Sequence, residues 1–317
     1  MACTNRQPIT PEVDSMSLSR RIFLGTSAAT AAAIAAASPS SHLAAQDKGK
    51  EEVDVSKLGK TPHTKFAVNL EMWWRKLKFE DRIRKAAEFG FPAFEMWPYQ
   101  GKDIDGIADL NKKLGIECSQ FTAWGFEPGM NNPANEDKVV QQIEEACQVA
   151  HKLNVRKMCV VAGNIQKGMT MEQMHAQVIK TLKRAAPIVE REKVMLILEP
   201  MNGRVDHPGH CLYGSVDTAK ICRAVDSPMV KINWDLYHMQ ISEGDLCGRL
   251  KDGFDQCGYL QIADHPGRNE PGTGEINYSR VLRQALDLGY KDYVGLELVP
   301  KTTELAAAIA VAQADAW

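Results

Sequence analysis

The chain has 317 residues, with 38 Lys and Arg against 40 Asp and Glu and a formal charge of −2. That length suits one large domain or two small ones, and the balanced charge argues against a nucleic-acid partner or an anionic membrane surface. Past residue 45 no apolar run reaches the roughly eighteen residues of a membrane-spanning helix.

Residues 1–45 differ from the rest. Arg20 and Arg21 precede Phe23 and Leu24, an alanine-rich stretch follows over 25–37, and small residues continue to Ala45. A charged start, a short apolar centre and a small-residue end describe an export signal. The pattern resembles a twin-arginine (Tat) signal, with Gly25 where that pattern carries Lys. A membrane anchor is the alternative, but the stretch is short and weakly apolar for one. The Tat route carries folded proteins, so the expectation is a periplasmic protein that loads any cofactor in the cytoplasm and keeps no membrane insertion once the signal is cut at Ala45 or near residue 37. Residues 46–62 are charged and aperiodic and read as a linker. The folded domain is then 63–317.

From Lys65 onward short apolar strands alternate with amphipathic helices. Strands are expected at 66–70, 93–96, 117–121, 157–161, 194–199, 230–234, 259–263 and 293–298. Helices are expected at 79–90, 103–115, 135–153, 170–192, 215–225, 244–255, 278–288 and 303–317, the first two stopped by Gly90 and Gly115. Alternation at this count predicts a closed parallel (β/α)8 TIM barrel. An open doubly wound sheet is the competitor; it usually has a phosphate-binding glycine turn after the first strand, and "EMWWRKLKF" follows here. The cysteines show no CxxC or paired spacing, and Cys118 and Cys159 lie on strand-like runs, which predicts free, mostly buried thiols.

In such a barrel the chemistry sits at the C-terminal strand ends. Glu199 and Asp235 close their strands, Gln261 lies in the middle of its own, and Glu297 stands near the end of the last. A carboxylate buried at the end of an apolar strand needs a cation or a donor beside it. Three acids and an amide on four successive strands point to a shared positive centre. An all-oxygen set suits a hard divalent ion, Mg²⁺ or Mn²⁺ before Zn²⁺. His238 follows Asp235 by three residues and is expected just past the strand, pointing into the same mouth; a loop histidine bonded to backbone is the alternative. Arg268, in the loop "DHPGRNEPGTGEIN", could grip a substrate carboxylate or simply pair with Glu270. The glycines of that loop lack phosphate-loop spacing and read as tight turns. "DHPGH" (206–210) suggests a zinc pair, but its Pro-Gly break favours an ordinary loop. Glu95 and Asn69 are weaker mouth candidates. Trp73, Trp74, Trp97 and Trp124 could wall the substrate or only pack. No G-x-S-x-G elbow is present.

The segments "LEPMN" (198–202), "VKINWDLYHMQISEGDL" (230–246), "LQIADHPGRNEPGTGEINY" (260–278) and "GLELVPKTT" (295–303) resemble the hydroxypyruvate isomerase family, within the xylose-isomerase-like TIM barrels of sugar isomerases and epimerases. The resemblance covers roughly 65–303. It implies that Glu199 and Glu297 are the proton-transfer pair, that Asp235 and Gln261 complete a divalent metal site with them, and that His238 and Arg268 hold substrate. A histidine is common at the Gln261 position in related epimerases, so glutamine points to the isomerase branch. The loop 203–210 looks one residue longer than the family pattern. The implied reaction interconverts hydroxypyruvate and 2-hydroxy-3-oxopropanoate (tartronate semialdehyde) through an enediolate. The alternatives are a ketose 3-epimerase or other sugar isomerase on the same metal site, and a non-catalytic exported carbohydrate-binding barrel. A multi-zinc nuclease of the same superfamily would need a histidine-rich ligand set that the chain lacks. Barrels of this kind often pair, so a homo-oligomer is a candidate state with no interface marked in the sequence.

Overall fold

A computed structural model describes residues 53–317; the signal expected over 1–45 and the first part of the linker lie outside the described residues. Eight parallel strands close in sequence order into a barrel. They are β1 Lys65–Asn69, β2 Ala93–Pro98, β3 Glu117–Trp124, β4 Lys157–Val161, β5 Met195–Glu199, β6 Val230–Asp235, β7 Cys257–Gln261 and β8 Tyr293–Leu296. The sealing pair is β1 with β8, Phe66 opposite Val294 and Val68 opposite Leu296. The expected (β/α)8 fold is the observed one.

Helices α1 Phe79–Glu88, α2 Ile104–Leu114, α3 Glu136–Leu153, α4 Met171–Glu192, α5 Ser215–Val225, α6 Leu236–Ser242, α7 Leu246–Gly253, α8 Tyr278–Asp287 and α9 Glu304–Ala314 run outside the strands. Their ends follow local chemistry. Asp103 accepts from the Gly106 amide ahead of α2, and Gly115 closes that helix at φ +65°. Thr170 and Gln173 form a reciprocal capping box on α4. Apolar helix faces, such as Ile143, Ala146, Cys147 and Ala150 of α3, pack on the outward side chains of the strands in the main core. A smaller core of Cys159, Ile197 and Tyr259 fills the barrel axis.

Two features depart from the sequence reading. The described part of the linker is structured: Val55–Lys57 form a 3-10 turn, and the Gly59 amide donates to the Phe89 carbonyl at 2.8 Å. Gly59 lies so close to the Phe91 backbone that a Cβ there would collide with it. Charge and aperiodicity hid a segment anchored by its backbone. The second departure is α6, which starts with no loop directly after β6, because Asp235 both ends the strand and caps the helix by accepting from the Tyr237 amide at 2.9 Å. Seven residues are too few for a periodic signal. All seven described cysteines are free, and no described helix is long and apolar enough to cross a membrane.

Candidate active site

Strand pleating decides which residues meet. Side chains alternate across a strand, so β5 sends Ile197 and Glu199 to the barrel axis, β6 sends Asn233 and Asp235, and β7 sends Tyr259 and Gln261. The Ile197–Tyr259 contact lies below and the polar groups lie above. Glu297, one residue past β8, continues that inward row from Gly295. At the C-terminal end the polar row opens into a cavity of about 350 Å³. Glu199, Gln261, His238, Arg268 and Glu297 line it, with Trp97, Phe126, Val161, Met201 and His207 as the other wall. A slightly larger hollow of about 430 Å³ lies between residues 56–65 and 87–92; no acid and no histidine lines it.

The six residues singled out in the sequence meet through short contacts. Arg268 Nη2 is 2.7 Å from Glu297 Oε1 and 3.6 Å from Asp235 Oδ2, with its guanidinium 5.0 Å above the Tyr237 ring. It does not pair with Glu270, whose Oε2 accepts from the Lys301 amide. Gln261 ends β7 instead of lying mid-strand. Its Nε2 donates to Glu297 Oε2 and, at 2.8 Å, to Glu95 Oε1, while its Oε1 accepts from Asn233 Nδ2 at 2.6 Å. The amide oxygen expected to face a cation therefore faces Asn233. That same Nδ2 also donates to Glu199 Oε2 at 3.0 Å, and the Cys159 thiol donates to the same oxygen at 3.1 Å. His238 sits on α6, fully buried, with Nε2 3.6 Å from Asp235 Oδ2 and 3.9 Å from Glu199 Oε1. Those three atoms have no hydrogen-bond partner among the described residues.

Burial and mutual repulsion shape the charges. Desolvation, then the Asp235 carboxylate, lift Glu199 to about 8. Desolvation lifts Asp235 to about 6 against the pull of Arg268. Desolvation also raises Glu297 well above its ordinary value although Arg268 opposes it. His238 is pushed well below its usual range by desolvation and then by Arg268, so its ring is neutral at neutral pH. Arg268 loses some basicity to burial, but Glu297 and Asp235 more than restore it.

Sequence reasoning underweighted the acid Glu95 and missed several amides, Asn233 and Gln120 among them. Glu95, fully buried on β2, accepts from Asn69 Nδ2 at 2.9 Å, from Gln261 and from Gln120, and burial raises it. Asn233 was passed over within "KINWD". Each is a polar residue on a strand buried on both faces, and strand pairing rather than local pattern fixes the face it takes. Among the four early tryptophans only Trp97 lines the cavity; Trp73 and Trp74 pack on Phe91 and Phe89. The 206–210 segment is a loop, with His207 stacked on Phe126 at 4.9 Å between ring centres. The loop after β7 is organised by Asp264. Its Oδ2 accepts from the Gly272 and Gly274 amides and its Oδ1 from those of His265 and Ile276. A Cβ on Gly274 would meet the His265 carbonyl, so that turn requires glycine.

The unpartnered oxygens of Glu199 and Asp235 are what a cation site presents before its ion is counted. Four buried acids (Glu95, Glu199, Asp235, Glu297) face one cation, Arg268, so full ionisation would leave 4 − 1 = 3 negative charges. A divalent ion would remove two of them. The acids thus fit a hard cation.

Comparison with known proteins places this geometry. The Xylose isomerase-like TIM barrel family model matches residues 83–314. The hydroxypyruvate isomerase of Escherichia coli (strain K12) is 34% identical over 246 residues, 75% of this chain and 95% of that protein. A 2-oxo-tetronate isomerase of Cupriavidus necator is 32% identical over 247 residues, 75% and 93% of the two chains. The crystal structure of an AP endonuclease, family 2, from Brucella melitensis superposes with a TM-score of 0.73 at 26% identity, covering 77% and 96%. The 3-keto-D-glucoside 4-epimerase of Escherichia coli, at TM-score 0.66 and 21% identity over 79% and 98%, shares the fold.

Proposed function

The chain is an isomerase of the xylose isomerase-like TIM barrel family, in its hydroxypyruvate isomerase branch, and we propose that it interconverts hydroxypyruvate and 2-hydroxy-3-oxopropanoate with Glu199 and Glu297 as the proton-transfer pair. The observation that carries this reading is that both glutamates, each with a raised proton affinity, line one cavity with Arg268 and the unpartnered His238 Nε2.

One glutamate removes a proton from C3 of hydroxypyruvate, next to the C2 carbonyl. The resulting enediolate carries negative charge on its oxygens. The other glutamate delivers a proton to C2, and the C3 hydroxyl proton passes to the C2 oxygen, which leaves a C3 aldehyde and a C2 hydroxyl. Each carboxyl must reach its carbon within hydrogen-bonding range. Arg268 offers the fork that fits a substrate carboxylate. Trp97 and Phe126 exclude water on the other side. A divalent cation, Mg²⁺ or Mn²⁺, would be held by Glu199 and Asp235 with Glu297 nearby, and would supply Lewis-acid stabilisation of the enediolate.

The cavity supports a second reading. About 350 Å³ lies within the roughly 300–1,000 Å³ of ordinary ligand sites, and exceeds what a three-carbon acid needs. A four-carbon 2-oxo acid or a free ketose would also fit. Steady-state turnover of hydroxypyruvate, 2-oxo-tetronate and a ketose panel, with and without Mg²⁺ or Mn²⁺, separates them. Faster turnover of ketoses than of either oxo acid refutes the proposal in favour of an epimerase. Sugar binding with no turnover at all would leave the carbohydrate-binding barrel.

We also propose export by the twin-arginine route, on the strength of Arg20 and Arg21 ahead of the alanine-rich stretch. Cell fractionation of the full chain tests it. Periplasmic recovery that survives replacement of both arginines by lysine rules it out.

A further inference from the structure

His238 can serve the site in two ways, and its proton decides which. With the proton on Nδ1, Nε2 has a free lone pair and joins Glu199 and Asp235 as a third ligand to a cation; the three ligand atoms lie within 4.8 Å of one another. With the proton on Nε2, the ring is a donor aimed at whatever oxygen enters between those carboxylates. The hydrogen bonds behind the ring settle the choice.

Nδ1 faces two donors from one residue: Asn202 Nδ2 at 2.6 Å and the Asn202 backbone amide at 3.5 Å. The side-chain amide cannot turn round. Its Oδ1 accepts from the backbone amides of Val205 at 2.9 Å and Asp206 at 3.1 Å, and its Nδ2 also donates to Asp206 Oδ2 at 2.7 Å. A flip would set an NH₂ against two N–H groups and an oxygen against a carboxylate, losing every one of those bonds. Nδ1 must therefore accept. The same geometry excludes a doubly protonated ring.

We propose that Asn202 is a positioning residue that locks buried His238 as its Nε2–H tautomer, making it a neutral hydrogen-bond donor to the substrate oxygen that becomes negative and removing it from the cation's ligand set. Nε2 lies 3.6 and 3.9 Å from the unpartnered Asp235 Oδ2 and Glu199 Oε1. That is too far for strong direct bonds and leaves its proton for a substrate oxygen. A preorganised donor at that position stabilises an enediolate without supplying a proton of its own. A neutral imidazole in this role has precedent in triosephosphate isomerase. The cation is left with oxygen ligands only, the chemistry that favours Mg²⁺ or Mn²⁺. The assignment of donor to substrate rests on the isomerase reading; the tautomer does not.

The test is long-range ¹⁵N–¹H correlation on the full chain labelled with ¹⁵N-histidine, with His238 assigned by loss of its signals in His238→Gln. The expected pattern is the neutral Nε2–H tautomer, unchanged by adding Mg²⁺ or Zn²⁺. A neutral Nδ1–H pattern, a doubly protonated ring, or transfer of the proton to Nδ1 on adding either ion overturns the lock. Asn202→Asp, combined with Asp206→Asn to keep the two carboxylates apart, presents an acceptor to Nδ1. It should move the proton to Nδ1 and lower kcat by roughly 10²-fold with KM changed less than about threefold. Asn202→Ala serves if that pair fails to fold, with mixed tautomers expected. A variant that keeps the Nε2–H pattern refutes the lock. A variant that switches tautomer with kcat intact refutes the donor role. If the native tautomer is Nε2–H but no oxo acid turns over, the isomerase reading fails and the lock stands.

Discussion

Replacing Glu297 by Gln tests the two-carboxylate mechanism most directly, because the change is nearly isosteric and removes the ability to carry a proton. General acid–base catalysis by one side chain contributes about 10²–10⁴-fold, or about 3–5 kcal/mol of barrier at 1.36 kcal/mol per tenfold. Glu297 now accepts from Arg268 at 2.7 Å and from Gln261 Nε2. A glutamine can offer its oxygen to only one of them and must set its NH₂ against the other. One buried donor left unpaired costs about 1–3 kcal/mol, so a fall in Tm of roughly 2–12 °C is expected for a domain of this size. The assay that separates chemistry from folding is deuterium exchange. In D₂O, hydroxypyruvate is incubated with Glu297→Gln and, separately, with Glu199→Gln, and its C3 protons are followed by NMR. Both variants should lose isomerisation by at least about 10²-fold. The one that keeps the C3 base should still wash deuterium into C3 without making product; the other should not. Turnover within tenfold of the parent in either variant, with its fold intact by circular dichroism, refutes the paired-glutamate mechanism.

Two further outcomes follow from the site. Gly295→Ala would drive a methyl group into Glu95 Oε2 and the Gln261 side chain. Overpacking of this kind costs about 1–3 kcal/mol, and the push on Gln261 loosens its bond to Glu297, so Tm and kcat should both fall; a variant unchanged in both measurements contradicts the packing described. The second concerns pH. Glu199 is raised from its ordinary 4.5 to about 8 and Asp235 from 3.8 to about 6, so the folded state holds these protons more tightly than the unfolded chain. The stabilisation is fully present below the unfolded values and is lost as pH climbs through the folded ones. Below about pH 7 the half-buried His207 and the buried His210 and His238, whose proton affinity is lowered, oppose this trend, so with EDTA present Tm should fall from about pH 7 to pH 9 as Glu199 ionises, and Mg²⁺ or Mn²⁺ should flatten that fall. Glu136 and Asp255, each lowered to about 2 by arginine hydrogen bonds, act only below this window. A Tm that rises across it in EDTA is incompatible with the buried-acid arrangement.

The barrel was legible because its alternation survives in the sequence: each strand is a short, largely apolar run, and several helices carry a cap, Asp103, Thr170, Asn277 and Thr303 among them. Glu199 and Asp235 were legible because an acid ends an otherwise apolar strand. Asn233 and Glu95 were not, for a physical reason. Barrel strands are buried on both faces, so polarity does not alternate along them, and a single polar residue inside "AFEMWP" or "KINWD" does not announce which face it takes. Pairing supplies that fact: Glu95 stands beside Asn69, and Asp235 beside Gln261. Asn202 was invisible for a different reason. Its role depends on the 203–207 turn folding back to give Val205 and Asp206 amides to its oxygen, and no local pattern encodes which ring lies on the other side.

The amides explain how so many acids share one barrel mouth. Glu95 takes N–H bonds from three of them, Asn69, Gln120 and Gln261, and points no free oxygen at the cavity. Gln261 separates Glu95 from Glu297, and Asn233 separates Gln261 from Glu199. Each amide gives a carboxylate a donor without adding charge, so proton affinity stays high where a lysine or arginine would have lowered it. Arg268 brings positive charge to the barrel mouth, and it contacts Glu297 and Asp235 and not Glu199. Glu199 therefore lines the cavity without a direct contact to that cation, and its free oxygen lies beside that of Asp235. A cation or a substrate hydroxyl arriving there meets its strongest unmet demand. An approach from that side leaves the Gln261–Asn233–Glu95 belt undisturbed.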